Sequence, residues 1–429
     1  MLFFLRSLQF LQCLFLLQDL FSLKINISLY VYIAAALFYS SVMLLALKWY
    51  RDVLNPVTVF MAKDFILAIT IPLLYWVFDM QYYPRPENMD YVAYSLLSYA
   101  LGIIFGTLFF LTLANLKVKI FSQYLGGQFV TGYRFFPHGL FSILFILVAL
   151  GMLIGTTDGG WLWVTDSRSA YQYHRSGAGI QYVITHISIL FATVYLGFNS
   201  PKGFFMLMVR LLPVLFLAFF LGSKSLLLHI VVIGVFSKAI GKNPLSQKDI
   251  VLVFSILLLL VFMVIPIYGE FSNFSQILSY FDHAKNFSEI THIDRTINQR
   301  IDIYLSAIFE YVPRSLYPEK PYVYGDVWLS EFLQPSIAEQ GHTLGGLGFT
   351  FSALVGDFLG VFFAAFIAAF FGVYIYQKFK KTKNIFWMLI YCHIYFVPVV
   401  KHLPLLFSIV TIYVIYSIFR TNYSPNKYK

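Results

Sequence analysis

Apolar stretches long enough to cross a membrane recur along almost the whole chain, since a transmembrane helix needs about 20 predominantly apolar residues. Such stretches lie at 27–48, 57–79, 91–115, 138–156, 180–198, 249–268, 347–376, 384–400 and 403–420. The apolar run 203–240 is too long for one span and is interrupted at Gly222–Ser225, so we expect two helices that meet there. The pattern therefore predicts about 11 transmembrane helices.

The first segment, residues 1–22, is apolar but is interrupted by charged and amide side chains. These are Arg6, Gln9, Gln12, Gln18 and Asp19. The segment forms either another membrane span or a helix that lies in the membrane interface. As a span it brings the total to about 12 and places both termini in the cytoplasm, which favours that alternative.

Lysine and arginine residues in the short loops indicate the orientation of the predicted helices, because cytoplasmic loops carry an excess of both. Alternating the direction of the spans places every basic loop on one side of the membrane without conflict. These loops and the tail contain Lys48, Arg51, Lys117, Lys119, Lys238, Lys242, Lys248, Lys378, Lys380, Lys381, Lys383, Arg420, Lys427 and Lys429. The segment 79–90 and the long loop 269–345 then face outward.

The long outward loop contains a predicted amphipathic helix. From Ile297 onward, apolar residues recur at helical spacing up to Phe309. Asp294 is a suitable N-cap, and Pro313 ends the helix because it has no N–H to donate. The sequence therefore predicts an all-α polytopic membrane protein. It consists of one membrane domain, 1–429, with one large extracytoplasmic loop, 269–345, that contains amphipathic helices.

Composition excludes a soluble protein and narrows the possible partners. Of the 429 residues, 59% are hydrophobic and 12% are charged, whereas soluble domains carry about 25% charged residues. The net charge of +10 is explained by basic cytoplasmic loops, so we expect membrane lipids and no nucleic acid as partners. Cys13 and Cys392 both lie in apolar segments, which excludes a disulfide framework and a cysteine metal site. We expect no metal and no cofactor.

Cations on the outward side are the candidate site residues, because a cation at the edge of the hydrocarbon must be paired or face water. The candidates are Arg168, His174, Arg175, Lys224, Arg295, Arg300, Arg314, Lys320, His342, Lys401 and His402. Each alone is more often structural. Together, on loops that converge on one face, they suggest a site for a phosphate-containing anion at the outer membrane surface.

A glycine-rich stretch leads into the span 347–376. Gly345–Gly348 follow His342 and either bind an anion through free backbone N–H groups or serve close packing, and both alternatives stay open. Gly356 and Gly360 have the spacing of a helix-packing motif, so we expect them to pack against a neighbouring helix. Asp357, between them, is expected to pair with a nearby cation.

The predicted chemistry is transfer from an activated substrate that is already in the membrane, because the chain contains no nucleotide-binding phosphate loop. A sugar linked to a lipid pyrophosphate fits: the leaving group is an anion, which Arg314 and other cations stabilise as it departs. A histidine is a suitable base for the attacking hydroxyl group. His342 and His402 are the first candidates, with His174 behind them, and the sequence does not choose among them.

Three segments resemble the Wzy-type oligosaccharide repeat-unit polymerases. FEYVPRSLYPEKP (Phe309–Pro321) is similar to the family's IP-x-x-L-W-P-x-[KR]-P segment in the large periplasmic loop. LGSKSLLL (Leu221–Leu228) is similar to its G-[GS]-[RK] turn between two spans. HTLGGLG, followed by FSALVGDFLG, resembles the family's return into the next span.

The resemblance implies a GT-C-like, all-helical, metal-independent glycosyltransferase in the bacterial inner membrane. It would join undecaprenyl-pyrophosphate-linked oligosaccharides at the outer face, in O-antigen or capsule synthesis, alongside a chain-length regulator and a flippase. By this analogy Lys224, Arg314 and Lys320 hold the pyrophosphate, assisted by Arg168 and Arg175. Lysine at position 224, where the family commonly has arginine, cannot form the bidentate contact of a guanidinium group.

Three alternatives accompany this interpretation. An O-antigen ligase would share the fold and the donor but would use lipid A-core as acceptor. A polysaccharide flippase or other transporter would predict inverted repeats and charges at the membrane midplane, and the sequence has neither. A partner of the assembly complex without chemistry of its own is the third. The polymerase interpretation predicts that Arg314→Ala abolishes chain growth, whereas Lys238→Ala, on the cytoplasmic side, is nearly silent.

Overall fold

A computed structural model of the chain is all-helical over the residues that it describes. These are 27–52, 55–72, 89–115, 140–155, 165, 179–201, 203–220, 224–240, 283–289, 317–319, 335, 349–382, 387–388 and 390–391. The helices are α1 Ile27–Tyr50, α2 Pro56–Phe65, α3 Met89–Asn115, α4 Leu140–Gly155, α5 Gly179–Phe198, α6 Phe204–Phe220, α7 Lys224–Ile240, α8 His283–Glu289 and α9 Thr350–Thr382. A π-helical turn, Ile66–Thr70, directly continues α2.

Three of these helices are long and apolar enough to cross a membrane: Tyr30–Tyr50, Met89–Ala114 and Ser352–Lys381. They indicate a multi-pass membrane protein. Four further helices, α4 to α7, contain shorter apolar stretches. Helices are thus confirmed at 27–48, 91–115, 138–156, 180–198 and 347–376, in the first part of 57–79, and on both sides of the break at Gly222–Ser225. The predicted spans 1–22, 249–268 and 403–420, and most of 384–400, lie outside the described residues.

Helices α3 and α9 run parallel and in close contact. Their rings meet in step along both helices: Phe105 lies 6.0 Å from Phe362, and Phe109 lies 5.6 Å from Phe366, between ring centroids. The approach is closest at Gly106, where an added Cβ would lie 2.3 Å from the backbone oxygen of Phe366. Glycine is therefore required at this crossing, because any side chain would push the two backbones apart.

Helix α1 runs in the same direction as α3 and α9. The ring of Tyr39 stacks on Tyr99 of α3 at 6.5 Å, and farther along α1 the ring of Tyr50 packs edge-on against Tyr376 of α9 at 5.8 Å. Helix α2 runs the opposite way, since Tyr39 donates a hydrogen bond to the carbonyl oxygen of Met61 over 3.1 Å and Tyr32 donates one to that of Ala68. These are the relative directions that alternating spans predicted.

Helix α9 is sharply kinked, and this kink corrects the prediction for Gly360. Gly356 (φ −140°, ψ 21°) and Asp357 (φ 49°, ψ −139°) leave the helical conformation. An added Cβ at Gly360 would lie 2.2 Å from the backbone oxygen of Ser352, and one at Gly356 would meet no described atom within 4 Å. The expected packing of Gly360 against a neighbouring helix is therefore wrong: the chain bends back on itself, and Gly360 makes room for that bend. The expected packing of Gly356 stays a prediction.

Helices α4 to α7 form a second packed group. A Cβ at Gly197 of α5 would lie 2.7 Å from the backbone oxygen of Gly234 of α7, so these helices also touch through glycine. Lys238, near the end of α7, is only 1% exposed. Its Nζ donates hydrogen bonds to Ser200 Oγ, at 3.4 Å, and to the carbonyl oxygen of Pro201. The prediction that Lys238 belongs to a basic loop is therefore wrong, because the residue lies in the last turn of α7 and is buried.

Candidate functional site

Most of the predicted site lies outside the described residues. This applies to Arg168, His174, Arg175, Arg295, Arg300, Arg314, Lys320, His342, Lys401 and His402, and to the predicted helix that starts near Ile297. Their assignments stay predictions. Lys224 is the exception among the candidates, because its backbone begins helix α7.

Lys224 occupies the end of α7 that is opposite to the buried contact of Lys238 with Ser200. The first turn of a helix carries a partial positive charge from its free backbone N–H groups. Free N–H groups at a helix start favour an anion nearby, and the assignment of Lys224 to the pyrophosphate stays a prediction.

The kink in α9 presents a carboxylate in an unusual backbone conformation. Asp357 has φ 49° and ψ −139°, a combination that side chains other than glycine seldom adopt, at a cost of about 1–3 kcal/mol. Oδ1 of Asp357 accepts a hydrogen bond from the Tyr91 hydroxyl over 3.4 Å. Strain of this size is concentrated at functional positions, where the surrounding structure holds it in place. The expected pairing of Asp357 with a cation stays a prediction.

Aromatic rings surround this carboxylate and continue inward. Tyr91 packs against Phe358 at 5.1 Å and stacks on Phe287 of α8 at 5.3 Å. Phe287 in turn meets Phe349 at 5.1 Å, edge to face. Phe287 is buried, so the described helix of the long loop is anchored among the membrane helices. Phe358 is partly exposed and leaves an apolar surface beside the Asp357 carboxylate.

A second carboxylate, Asp64, was missed by the sequence-based reasoning. Asp64 is 1% exposed, and only Phe65 separates it from the π-helical turn. Its carboxylate lies within electrostatic range of the Tyr39 and Tyr99 hydroxyl groups. Buried ionisable groups in membrane helices are rare and are often functional, as are π-helical turns. The signal was present as a Lys-Asp pair inside the apolar stretch 57–79. Within the described ranges, no group of three or more His, Cys, Asp or Glu side chains could hold a metal ion.

Comparison with known proteins adds no relative. The chain matches no protein-family model, no curated protein and no solved structure. The resemblance to the Wzy-type polymerases therefore rests on the three motifs quoted above. The arrangement of α1, α3 and α9 and the kink at Asp357 are independent of that resemblance.

Proposed function

We propose that this protein is a lipid-linked repeat-unit polymerase of the bacterial inner membrane, with both termini in the cytoplasm. It would be a metal-independent glycosyltransferase that joins undecaprenyl-pyrophosphate-linked oligosaccharides at the outer face, in O-antigen or capsule synthesis. Its partners would be the flippase that delivers these substrates and the regulator of chain length.

The three sequence motifs carry the proposal, and the parallel arrangement of α1, α3 and α9 supports the orientation that it needs. It brings the basic ends of α1 and α9 together, through an ion pair between Asp52 and Lys380 at 2.5 Å. Basic ends are typical of the cytoplasmic side. The opposite ends of these helices, with Asp357 and Tyr91, then belong to the outer side, where a flipped lipid-linked oligosaccharide presents its sugars.

The chemistry that we propose divides the roles between cations and a base. Arg314, Lys224 and Lys320 would hold the pyrophosphate and stabilise its charge as the glycosidic bond to it breaks. His342 or His402 would remove the proton from the attacking sugar hydroxyl. The aromatic surface around Tyr91 and the carboxylate of Asp357 lie on the same proposed side and offer apolar and polar contacts for a sugar.

The decisive experiment is deletion of the gene in its own host, followed by gel analysis of the surface polysaccharide. A ladder that collapses to core plus a single repeat unit is the expected result, and the plasmid-borne gene should restore the ladder. Long polymer that is still made but stays on its lipid carrier would instead identify a ligase. An unchanged ladder on the surface would reject both glycosyltransferase assignments.

A further inference from the structure

The ends of α1 and α9 are joined by one carboxylate. Asp52, just beyond α1, accepts a hydrogen bond from the Tyr376 hydroxyl over 2.5 Å and forms an ion pair with Lys380 at 2.5 Å. Tyr50 reinforces the junction through its edge-on contact with the Tyr376 ring. Segments that are far apart in the sequence are thereby held together at one end of the molecule.

This junction carries much more positive than negative charge. Asp52 is the acid that these two helix ends contribute, and it forms an ion pair with Lys380. Four further cations belong to the same two helix ends: Lys48, Arg51, Lys378 and Lys381. Within the described part of the chain, the exposed side chains of Lys48, Arg51 and Lys381 form no hydrogen bond or ion pair. Like charges at the ends of two contacting helices repel each other, so these ends favour an anion beside them.

Along each helix, the surface next to these cations changes from apolar to charged. The order is that of a lipid leaflet, in which acyl chains are followed by headgroups. On α1, the exposed side chains of Leu44 and Leu45 are followed by Trp49, which is 76% exposed, and then by Arg51. On α9, exposed Phe371 precedes the lysines in the same way. Tryptophan is enriched where membrane helices cross the interface between hydrocarbon and headgroups. The apolar side chains, the tryptophan and the cations thus lie in the same order as the acyl chains, the interface and the phosphate of a phospholipid.

We propose that this junction is a binding site for the headgroup of an anionic phospholipid in the cytoplasmic leaflet. We define the basic junction as Lys48, Trp49, Arg51, Lys378 and Lys381 around the Asp52–Lys380 pair. The Arg51 guanidinium and the lysine ammonium groups bind the lipid phosphate, and Trp49 lies beside the glycerol region. The adjoining apolar surface favours a lipid over a free phosphate ion. The site lies at the end of the helices opposite to the proposed reaction and does not depend on it.

The test compares the full-length protein in nanodiscs of phosphatidylglycerol and of phosphatidylcholine. Wild-type protein should unfold at a higher temperature in phosphatidylglycerol, and the difference should shrink in concentrated salt, because salt screens exposed charges. The double variant Arg51→Gln, Lys381→Gln should lose this difference and should bind phosphatidylglycerol in native mass spectrometry roughly tenfold more weakly or worse. Inorganic phosphate should not replace the lipid.

A matched control removes two cations from another basic loop, with Lys242→Gln and Lys248→Gln. It should keep the stabilisation by phosphatidylglycerol. Equal stability of the wild-type protein in both bilayers would overturn the proposal, and so would full stabilisation of the Arg51/Lys381 variant. Equal destabilisation of that variant in both bilayers would also overturn it, since the two side chains would then serve the fold and not the lipid.

Discussion

The Tyr91 hydroxyl donates a hydrogen bond to Oδ1 of Asp357 over 3.4 Å and so joins the start of α3 to the kink of α9. Asp357 is held there with a positive φ of 49°, between a short first turn of α9 and its long apolar part. The strained backbone of Asp357 costs stability, and its hydrogen bond fixes the position of the carboxylate. Substitutions can measure these two effects separately.

Asp357→Gly should stabilise the fold. Glycine adopts positive φ without steric strain, so we expect the free energy of unfolding to rise by about 1 kcal/mol or more, as measured by thermal unfolding in nanodiscs. Asp90→Gly is the matched control: Asp90 lies in the first turn of α3 with helical geometry, where glycine should lower stability. A lower unfolding temperature for Asp357→Gly would show that the carboxylate itself holds the kink together. If Asp357 contacts a sugar, as proposed, Asp357→Gly should also reduce polymer formation.

Gly360→Ala should open the kink, whereas Gly356→Ala should be tolerated. The new Cβ at Gly360 would lie 2.2 Å from the Ser352 oxygen, but the Cβ at Gly356 would enter open space among the described residues. We expect Gly360→Ala to destabilise the protein by about 1–3 kcal/mol, the usual range for overpacking. Crosslinking of paired cysteines introduced at Tyr91 and Asp357 should become inefficient in the Gly360→Ala protein. Equal crosslinking in both glycine variants would contradict this account of the bend.

Gly106→Ala should separate α3 from α9. Its Cβ would lie 2.3 Å from the Phe366 backbone oxygen, and backbone cannot give way as a flexible side chain can. We expect a loss of about 1–3 kcal/mol, seen as a lower unfolding temperature and a smaller monodisperse peak in size-exclusion chromatography. Gly151→Ala, on α4, has no described atom within 4 Å of the new Cβ. It should be neutral or slightly stabilising, because alanine is a better helix former.

Lys238→Ala should be destabilising and not silent. Its removal leaves the buried Ser200 hydroxyl and the Pro201 carbonyl without the lysine donor, at a cost of about 1–3 kcal/mol. Thermal unfolding of the purified protein measures this loss. Lys242→Ala, in the basic loop that the sequence predicts after α7, is the better silent control for activity assays. Wild-type stability of Lys238→Ala would mean that the observed contacts do not contribute to the fold.

Arg314→Ala should abolish chain growth while the protein remains in the membrane at the wild-type level. The physical reason is the loss of the guanidinium group that would stabilise the departing pyrophosphate. Gel analysis of the polysaccharide, together with an immunoblot of the membrane fraction, measures both quantities. Normal polymer from the Arg314→Ala protein would remove Arg314 from the proposed pyrophosphate site. Arg314→Lys should restore activity only in part, because it keeps the charge but not the bidentate geometry.

Helix positions and relative directions were predictable because a spanning segment must satisfy its own backbone and because lysine and arginine mark one side. Packing partners were not. Gly102 and Gly106 have the same spacing as Gly356 and Gly360, yet the first pair packs against α9, whereas Gly360 accommodates a kink and Gly356 contacts no other described segment. Loop and core lysines also look alike in the sequence, so the burial of Lys238 became visible only in three dimensions. The predicted cation site lies almost entirely outside the described residues and remains a prediction.

The seam between α3 and α9 also constrains how the chain is made. Gly106 meets Phe366, so the groove that glycine leaves on α3 is filled only after most of the polypeptide has been synthesised. Until then, the surface of α3 that packs against α9 lacks its partner helix in the bilayer. In a chain truncated before α9, that surface never gains its partner.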